Sequence, residues 1–223
     1  MQAVILAAGL GTRLRPITLT TPKPLLKIDD KTIIEHTLSS LPSGIDEIFI
    51  VVNYLRDQIR THLGEQWNRI PIHYIVQDPL NGTGGAMMLL RNRLQDRFLV
   101  VNGDDLYAKE DLEMMMNYST SILLCPTENQ LQNGADLNNE GLFIGLKVSD
   151  TQISYRVCGA YLLDQSYFSY PPVTIDGSEH EEFGLPQTLA LLSKKHPIHV
   201  VMTTNWFPIG TPEELSFVKT KLF

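Results

Sequence analysis

The chain has 223 residues, 43% of them hydrophobic and 19% charged, enough to bury one full core. Its formal net charge of −7 excludes a duplex-binding face, which needs a basic excess, so nucleic acid is not an expected partner. No apolar run reaches the roughly 18 residues of a membrane span, and a core strand beginning at the N-terminus leaves no room for a leader, so the expectation is a cytoplasmic protein.

The run Ala3-Val4-Ile5-Leu6-Ala7 specifies a buried strand, placed at 4–7. It feeds Ala8-Gly9-Leu10-Gly11-Thr12-Arg13, a Gly-rich loop that offers backbone N–H groups, and Lys23 follows between Pro22 and Pro24. A Gly-x-Gly alone specifies only a tight turn, but with Arg13 and Lys23 converging on it the loop is a device for holding a polyphosphate. Ile33, Ile34, Thr37, Leu38 and Leu41 then set a helical stripe that ends at Pro42 and Gly44. Strand 48–52, helix 56–63, strand 72–76, helix 86–94, strand 98–101, helix 110–117 and strand 122–125 continue the alternation. That alternation predicts an α/β fold with a doubly wound, mostly parallel sheet. Its ligand belongs beyond the carboxyl ends of the strands, where Gly9 to Arg13, Gln77 to Thr83 and Gly103-Asp104 all fall.

From Thr127 to Val157 the pattern weakens, and its asparagines and glycines suggest a small antiparallel excursion at the sheet edge, an insertion within one domain over 1–223. Regular structure returns with strand 160–163, helix 185–194, strand 198–202 and a terminal helix after Pro212, whose first turn carries Glu213 and Glu214. Cys125 and Cys158 lie in apolar, strand-like settings without C-x-x-C spacing and read as core thiols. Asp104, just past a central strand, either binds a metal or caps a helix. Gln77 offers an amide donor and acceptor, which matches the imide edge of uracil or thymine.

Gly9-Leu10-Gly11-Thr12-Arg13 with Thr21-Pro22-Lys23-Pro24-Leu25 resembles the signature loop of nucleotidyltransferases that act on sugar 1-phosphates, the group that includes glucose-1-phosphate thymidylyl- and uridylyltransferases. The resemblance runs along nearly the whole chain in the family's order: Gln77, Asn81-Gly82-Thr83-Gly84-Gly85-Ala86, Asn102-Gly103-Asp104, Gly159-Ala160-Tyr161, Glu181-Glu182, then Trp206 with Gly210-Thr211-Pro212. It implies a Rossmann-like, GT-A-like core that transfers a nucleoside monophosphate from UTP or dTTP to a sugar 1-phosphate and releases pyrophosphate. By resemblance Arg13 holds the β- and γ-phosphates over the amides of Ala8, Gly9, Gly11 and Thr12, while Lys23 contacts the α-phosphate and the incoming sugar phosphate. Asp104 becomes the ligand of Mg²⁺, a hard ion that takes carboxylate and phosphate oxygens. The base lies against Gly9, Gln77 and Gly82, with Thr83, Gly84 and Gly85 as a floor under the nucleoside. Gly159 and Glu181 or Glu182 face the sugar; the competing reading makes the Glu pair a charged first helical turn and His180 a solvated residue.

The chain also departs from the family. An aspartate commonly stands two residues after the tryptophan and completes the metal site; Pro208 stands there. Where the family tends to carry Glu-Lys-Pro for the sugar, this chain has Val148-Ser149-Asp150, with Lys147 the nearest stand-in. Two readings stay open: an enzyme that completes its Mg²⁺ shell with water, Asp105 or Asn205, and a non-catalytic or regulatory nucleotide-binding homologue. The chain ends without the β-helix of bifunctional relatives, so transferase activity alone is expected. A homo-oligomer is compatible, with no symmetry specified.

Overall fold

The computed structural model describes residues 1–148, 154–175 and 181–221. Gln2–Leu6 is buried at every position, and a strand covered on both faces belongs at the centre of a sheet. It pairs in parallel with Glu47–Val52 on one side and Arg97–Asn102 on the other. The sheet has eight strands, ordered His199–Met202, Ser121–Thr127, Ser154–Asp164, Arg97–Asn102, Gln2–Leu6, Glu47–Val52, Ile70–Val76 and Gln66–Trp67. Ser154–Asp164 runs antiparallel to both of its neighbours, and Gln66–Trp67 antiparallel to Ile70–Val76, so the sheet is mixed but mostly parallel.

The α-helices of the described residues are α1 (Ile33–Ser40), α2 (Arg56–Leu63), α3 (Gly82–Met88), α4 (Lys109–Met115), α5 (Leu185–Leu192) and α6 (Pro212–Lys221). Successive strand side chains point to opposite faces, which divides the core in two. Ala3, Ile5 and Ala7 pack with Ile34 and Leu38 of α1, Ile59 of α2 and Leu112 of α4. Val4, Leu6 and Ala8 pack with Ala86 and Met87 of α3 and with Leu185, Leu189 and Leu192 of α5. The first strand is therefore fixed from both sides, and with it the start of the Gly-rich loop. A third cluster of Leu14, Leu26, Ile28, Ile33, Leu106, Ile209, Leu215 and Val218 anchors that loop's continuation to α6.

Three elements differ from the sequence reading. The strand expected at 160–163 is the eleven-residue Ser154–Asp164, with an irregular register between Val157 and Tyr161. The antiparallel excursion is the smaller ribbon Gly134–Leu137 with Phe143–Lys147. The helix expected at 86–94 is α3, which begins at Gly82 and takes in Gly84 and Gly85. Intrinsic propensity places glycine outside helices, but here Phe183 packs on Gly82 and Gly84, and Asn81 on Gly85, too closely for side chains. Cys125 and Cys158 are free thiols, the latter fully buried. Among the described residues no helix is long and apolar enough to cross a membrane.

At the start of α6, Thr211 and Glu214 form a reciprocal cap. Glu214 N donates to Thr211 Oγ1 at 3.2 Å, and the N–H groups of Thr211 and Gly210 donate to Glu214 Oε2 at 3.0 and 2.6 Å. Glu214→Ala is expected to destabilise the fold by about 1–2 kcal/mol in thermal melts. Glu214→Gln, which keeps an acceptor oxygen, should recover most of that loss.

Candidate active site

A cleft of ≈ 450 Å³ opens at the carboxyl ends of the central strands. Ala8, Gly9, Gly11 and Thr12 of the first loop line it together with Gln77, Gly82 and Thr83, Asn102 and Asp104, and Glu182. Segments far apart in sequence thus meet where the parallel strands end, at the position an α/β sheet reserves for a ligand.

Gly11 adopts φ +62°, a left-handed conformation that glycine takes without penalty. A Cβ there would also stand 3.0 Å from Thr18 Cγ2 and 3.3 Å from Lys23 Cβ, so the loop closes directly over Thr18 and Lys23. Thr18 Oγ1 donates to the Gly11 carbonyl at 2.7 Å. Pro22 and Pro24 frame Lys23 in a short 3₁₀ turn. Lys23 Nζ reaches Asp104 Oδ2 at 2.6 Å, with the lysine side chain 8% exposed and the aspartate 37%. Burial of an unpaired ammonium is costly, and Asp104 supplies the partner from the end of the Arg97–Asn102 strand. Both residues line a small cavity with Gly9 and Gly11, next to the main cleft. Arg13 is exposed and does not line the cleft; its guanidinium lies against Gly210, whose Cβ would come within 3.1 Å of Cζ.

Gln77 is 4% exposed. Its Nε2 donates to Asn81 Oδ1 at 2.9 Å and to the Gly82 carbonyl at 2.8 Å. Both amide hydrogens are thus engaged within the protein, and only Oε1 is available to a ligand. The donor–acceptor reading of Gln77 becomes an acceptor alone. Gly82 has φ +83°, and a Cβ on it would overlap the Phe183 carbonyl. That close approach belongs to a strap, 181–184, stitched beside the Gln77–Thr83 loop. Phe183 N donates to the Asn81 carbonyl at 2.8 Å and Leu185 N to Thr83 Oγ1 at 3.0 Å. Thr83 is therefore a docking point for the strap as well as a wall of the cleft. Glu182 lines the cleft; Glu181 is exposed and does not. Both precede α5 rather than forming its first turn.

Gly159 does not line the cleft. A Cβ there would overlap the Asn102 side chain, and Asn102 is the residue that faces the cleft. Asn102 and Asn81 are thus the residues whose roles escaped the sequence, although both sit within recognised motifs. Lys147 is held by Asp136 at 2.7 Å on the antiparallel ribbon, away from the cleft lining. Ser149, Asp150 and His180 lie outside the described residues. Pro208 pairs across a short antiparallel bridge with Asp105, and its side chain offers no donor for a metal. Asn205 is exposed and outside the cleft lining. Among the described residues no group of three or more His, Cys, Asp or Glu side chains is placed to hold a metal ion.

Asp105 faces inward, 7% exposed, where Asn102 Nδ2 donates to its Oδ2 at 3.4 Å. Burial, with the neighbouring Asp104 charge, pushes its pKa from 3.8 up to about 7, against the pull of Lys23 and the Ile209 N–H. It is a buried acid, turned away from the exposed half of the pair. Between those two values the folded protein keeps a proton that the unfolded chain has lost, so stability falls as pH rises through this window. Thermal melts from about pH 4 to pH 8 should show this decline, and Asp105→Asn should flatten it.

A β-strand, a glycine-rich loop and a buried ion pair thus meet at the sheet's carboxyl edge, where an α/β protein holds its ligand. The profile of the family described as nucleotidyl transferase matches residues 2–122, and the chain belongs to that family. It is 31% identical over 218 residues to a bifunctional protein GlmU of Methanococcus maripaludis, covering 95% of this chain and 52% of that protein. The chain thus spans about half the length of that relative. It is 27% identical over 219 residues to a D-glycero-alpha-D-manno-heptose 1-phosphate guanylyltransferase of Campylobacter jejuni, covering 96% of both chains. Among solved structures, a Bacillus anthracis protein assigned as a glucose-1-phosphate thymidylyltransferase, in complex with a sucrose, superimposes with a TM-score of 0.82. That match has 26% identity and covers 99% of this chain and 94% of the other.

Proposed function

We propose that this protein transfers a nucleoside monophosphate from a nucleoside triphosphate, UTP or dTTP by the sequence reading, to a sugar 1-phosphate. The observation that carries this reading is the Lys23–Asp104 pair at 2.6 Å, beside the loop amides of Gly9 to Thr12 and next to the cleft that Gln77 and Glu182 share. A sugar-phosphate oxygen forms the new bond to the α-phosphorus. The bond from that phosphorus to the bridging oxygen breaks, and the electron pair leaves with pyrophosphate. Such a reaction needs positioning and charge stabilisation more than covalent chemistry.

Lys23 is the group placed to meet charge growing on the α-phosphate, since prolines and burial hold its ammonium in one place. The loop amides receive the remaining phosphates, and Arg13, next to Thr12 in the chain, reaches them by leaving Gly210. Gln77 Oε1 accepts from the base, and Glu182 accepts from sugar hydroxyls. Glu181 stays outside, and Gly159 acts by leaving Asn102 room. One protein carboxylate is compatible with Mg²⁺, which keeps several waters and binds largely through substrate phosphates. Asp104 Oδ1 and Asn102 are the donors that fit it here. When bound, such an ion would neutralise phosphate charge. The proline at 208 favours the non-catalytic reading, and turnover decides between the two.

Pyrophosphate release should be measured with UTP, dTTP and GTP against a panel of hexose and heptose 1-phosphates. Release with one pairing is the expected result; nucleotide binding with no release from any sugar would leave a binding protein. Lys23→Ala and Asp104→Asn should each lower kcat by roughly 10² or more. Gln77→Ala, which removes the base contact together with the amide's bonds to Asn81 and Gly82, should change nucleotide selectivity by about 1–3 kcal/mol.

A further inference from the structure

The Gln77 amide is held at two points. The Gly82 carbonyl oxygen can only accept, so its 2.8 Å bond identifies the Gln77 atom facing it as Nε2. The second holder is Asn81 Oδ1, at 2.9 Å. Asn81 itself is folded over the first turn of α3, directly on Gly85. A Cβ at Gly85 would overlap Asn81 Oδ1 and stand 2.8 Å from Nδ2, while the backbone there is right-handed and accepts any L-residue. The three atoms nearest such a Cβ all belong to the Asn81 side chain.

We propose that Asn81, given room by Gly85, is a positioning residue that sets nucleobase selectivity through Gln77. It helps hold the amide with Oε1 toward the ligand, so the site accepts a base that presents a lactam N–H (uracil, thymine or guanine). It disfavours one that presents a bare ring nitrogen at that edge (cytosine or adenine). The inference rests on the nucleotide-binding reading above and assigns its selectivity to a residue outside the base contact. Cytosine is the sharp comparison, because it replaces the N3–H of uracil with an acceptor on a ring of the same shape. Once Asn81 loses its oxygen, one Gln77 hydrogen loses its acceptor, and the amide turns more readily to offer that hydrogen to the ligand.

Calorimetric dissociation constants for UTP against CTP, and GTP against ATP, test this without requiring turnover. The wild type should favour the lactam member of each pair it binds. Asn81→Ala and Gly85→Ala should each reduce that preference about 3–10-fold, the worth of one hydrogen bond. Asn81→Asp, which still accepts from Gln77, should keep it. Gly85→Ala should not lower the melting temperature, because alanine is the better helix former; a purely structural role for Asn81 would change stability and leave the preference intact. A wild-type preference that both alanine variants retain overturns the proposal, as does a wild type that binds UTP and CTP equally. A wild type that binds no nucleotide overturns the functional reading and this proposal together.

Discussion

A lysine ammonium buried beneath a glycine loop is tolerable only with a carboxylate beside it, and the architecture is arranged to deliver one. Lys23 and Asp104 are 81 residues apart in sequence and 2.6 Å apart in space. What joins them is parallel pairing: Leu6 stands beside Asn102 in the register of the two central strands, and Gly103 N donates to the Leu6 carbonyl at 2.8 Å. The chain leaves both strands at the same edge, so the loop after the first meets the aspartate after the second. A shift of one residue in that register would turn the two core faces over as well as separate the pair.

Polar groups line the cleft. The loop amides of Gly9 to Thr12, with Asp104 and Asn102, stand on one side, and Gln77 and Glu182 line it as well. The wall that carries Gln77 and Glu182 is built from two segments that depend on each other. The strap 181–184 is bonded to Asn81, Leu185 at its end is bonded to Thr83, and Gly82 and Gly84 leave the strap space to lie there. The Gln77–Thr83 loop and Glu182 are thus one mechanical unit.

Much of this could be read from residues. Unbroken apolar runs announced the central strands, and glycine and flanking prolines announced the tight loop from Gly9 and the framed Lys23, because both leave a local trace. Asp104 was readable from its place after Phe98 to Val101. Tertiary packing hid the rest. Nothing local says that α3 begins within glycines, since that depends on a strap a hundred residues later. The donor state of Gln77 depends on Asn81 and the Gly82 carbonyl, and the exposure of Arg13 on Gly210; neither is written in composition or spacing. Pro208 was visible as a departure, but only the bridge to Asp105 shows it standing against a buried acid.

The central claim is that Lys23 and Asp104 act as a single unit on the triphosphate. A double-mutant cycle of Lys23→Ala and Asp104→Asn, read as kcat for pyrophosphate release, tests it most directly. The account predicts strong non-additivity, with the double variant little slower than the worse single variant. Losses that multiply independently would contradict it.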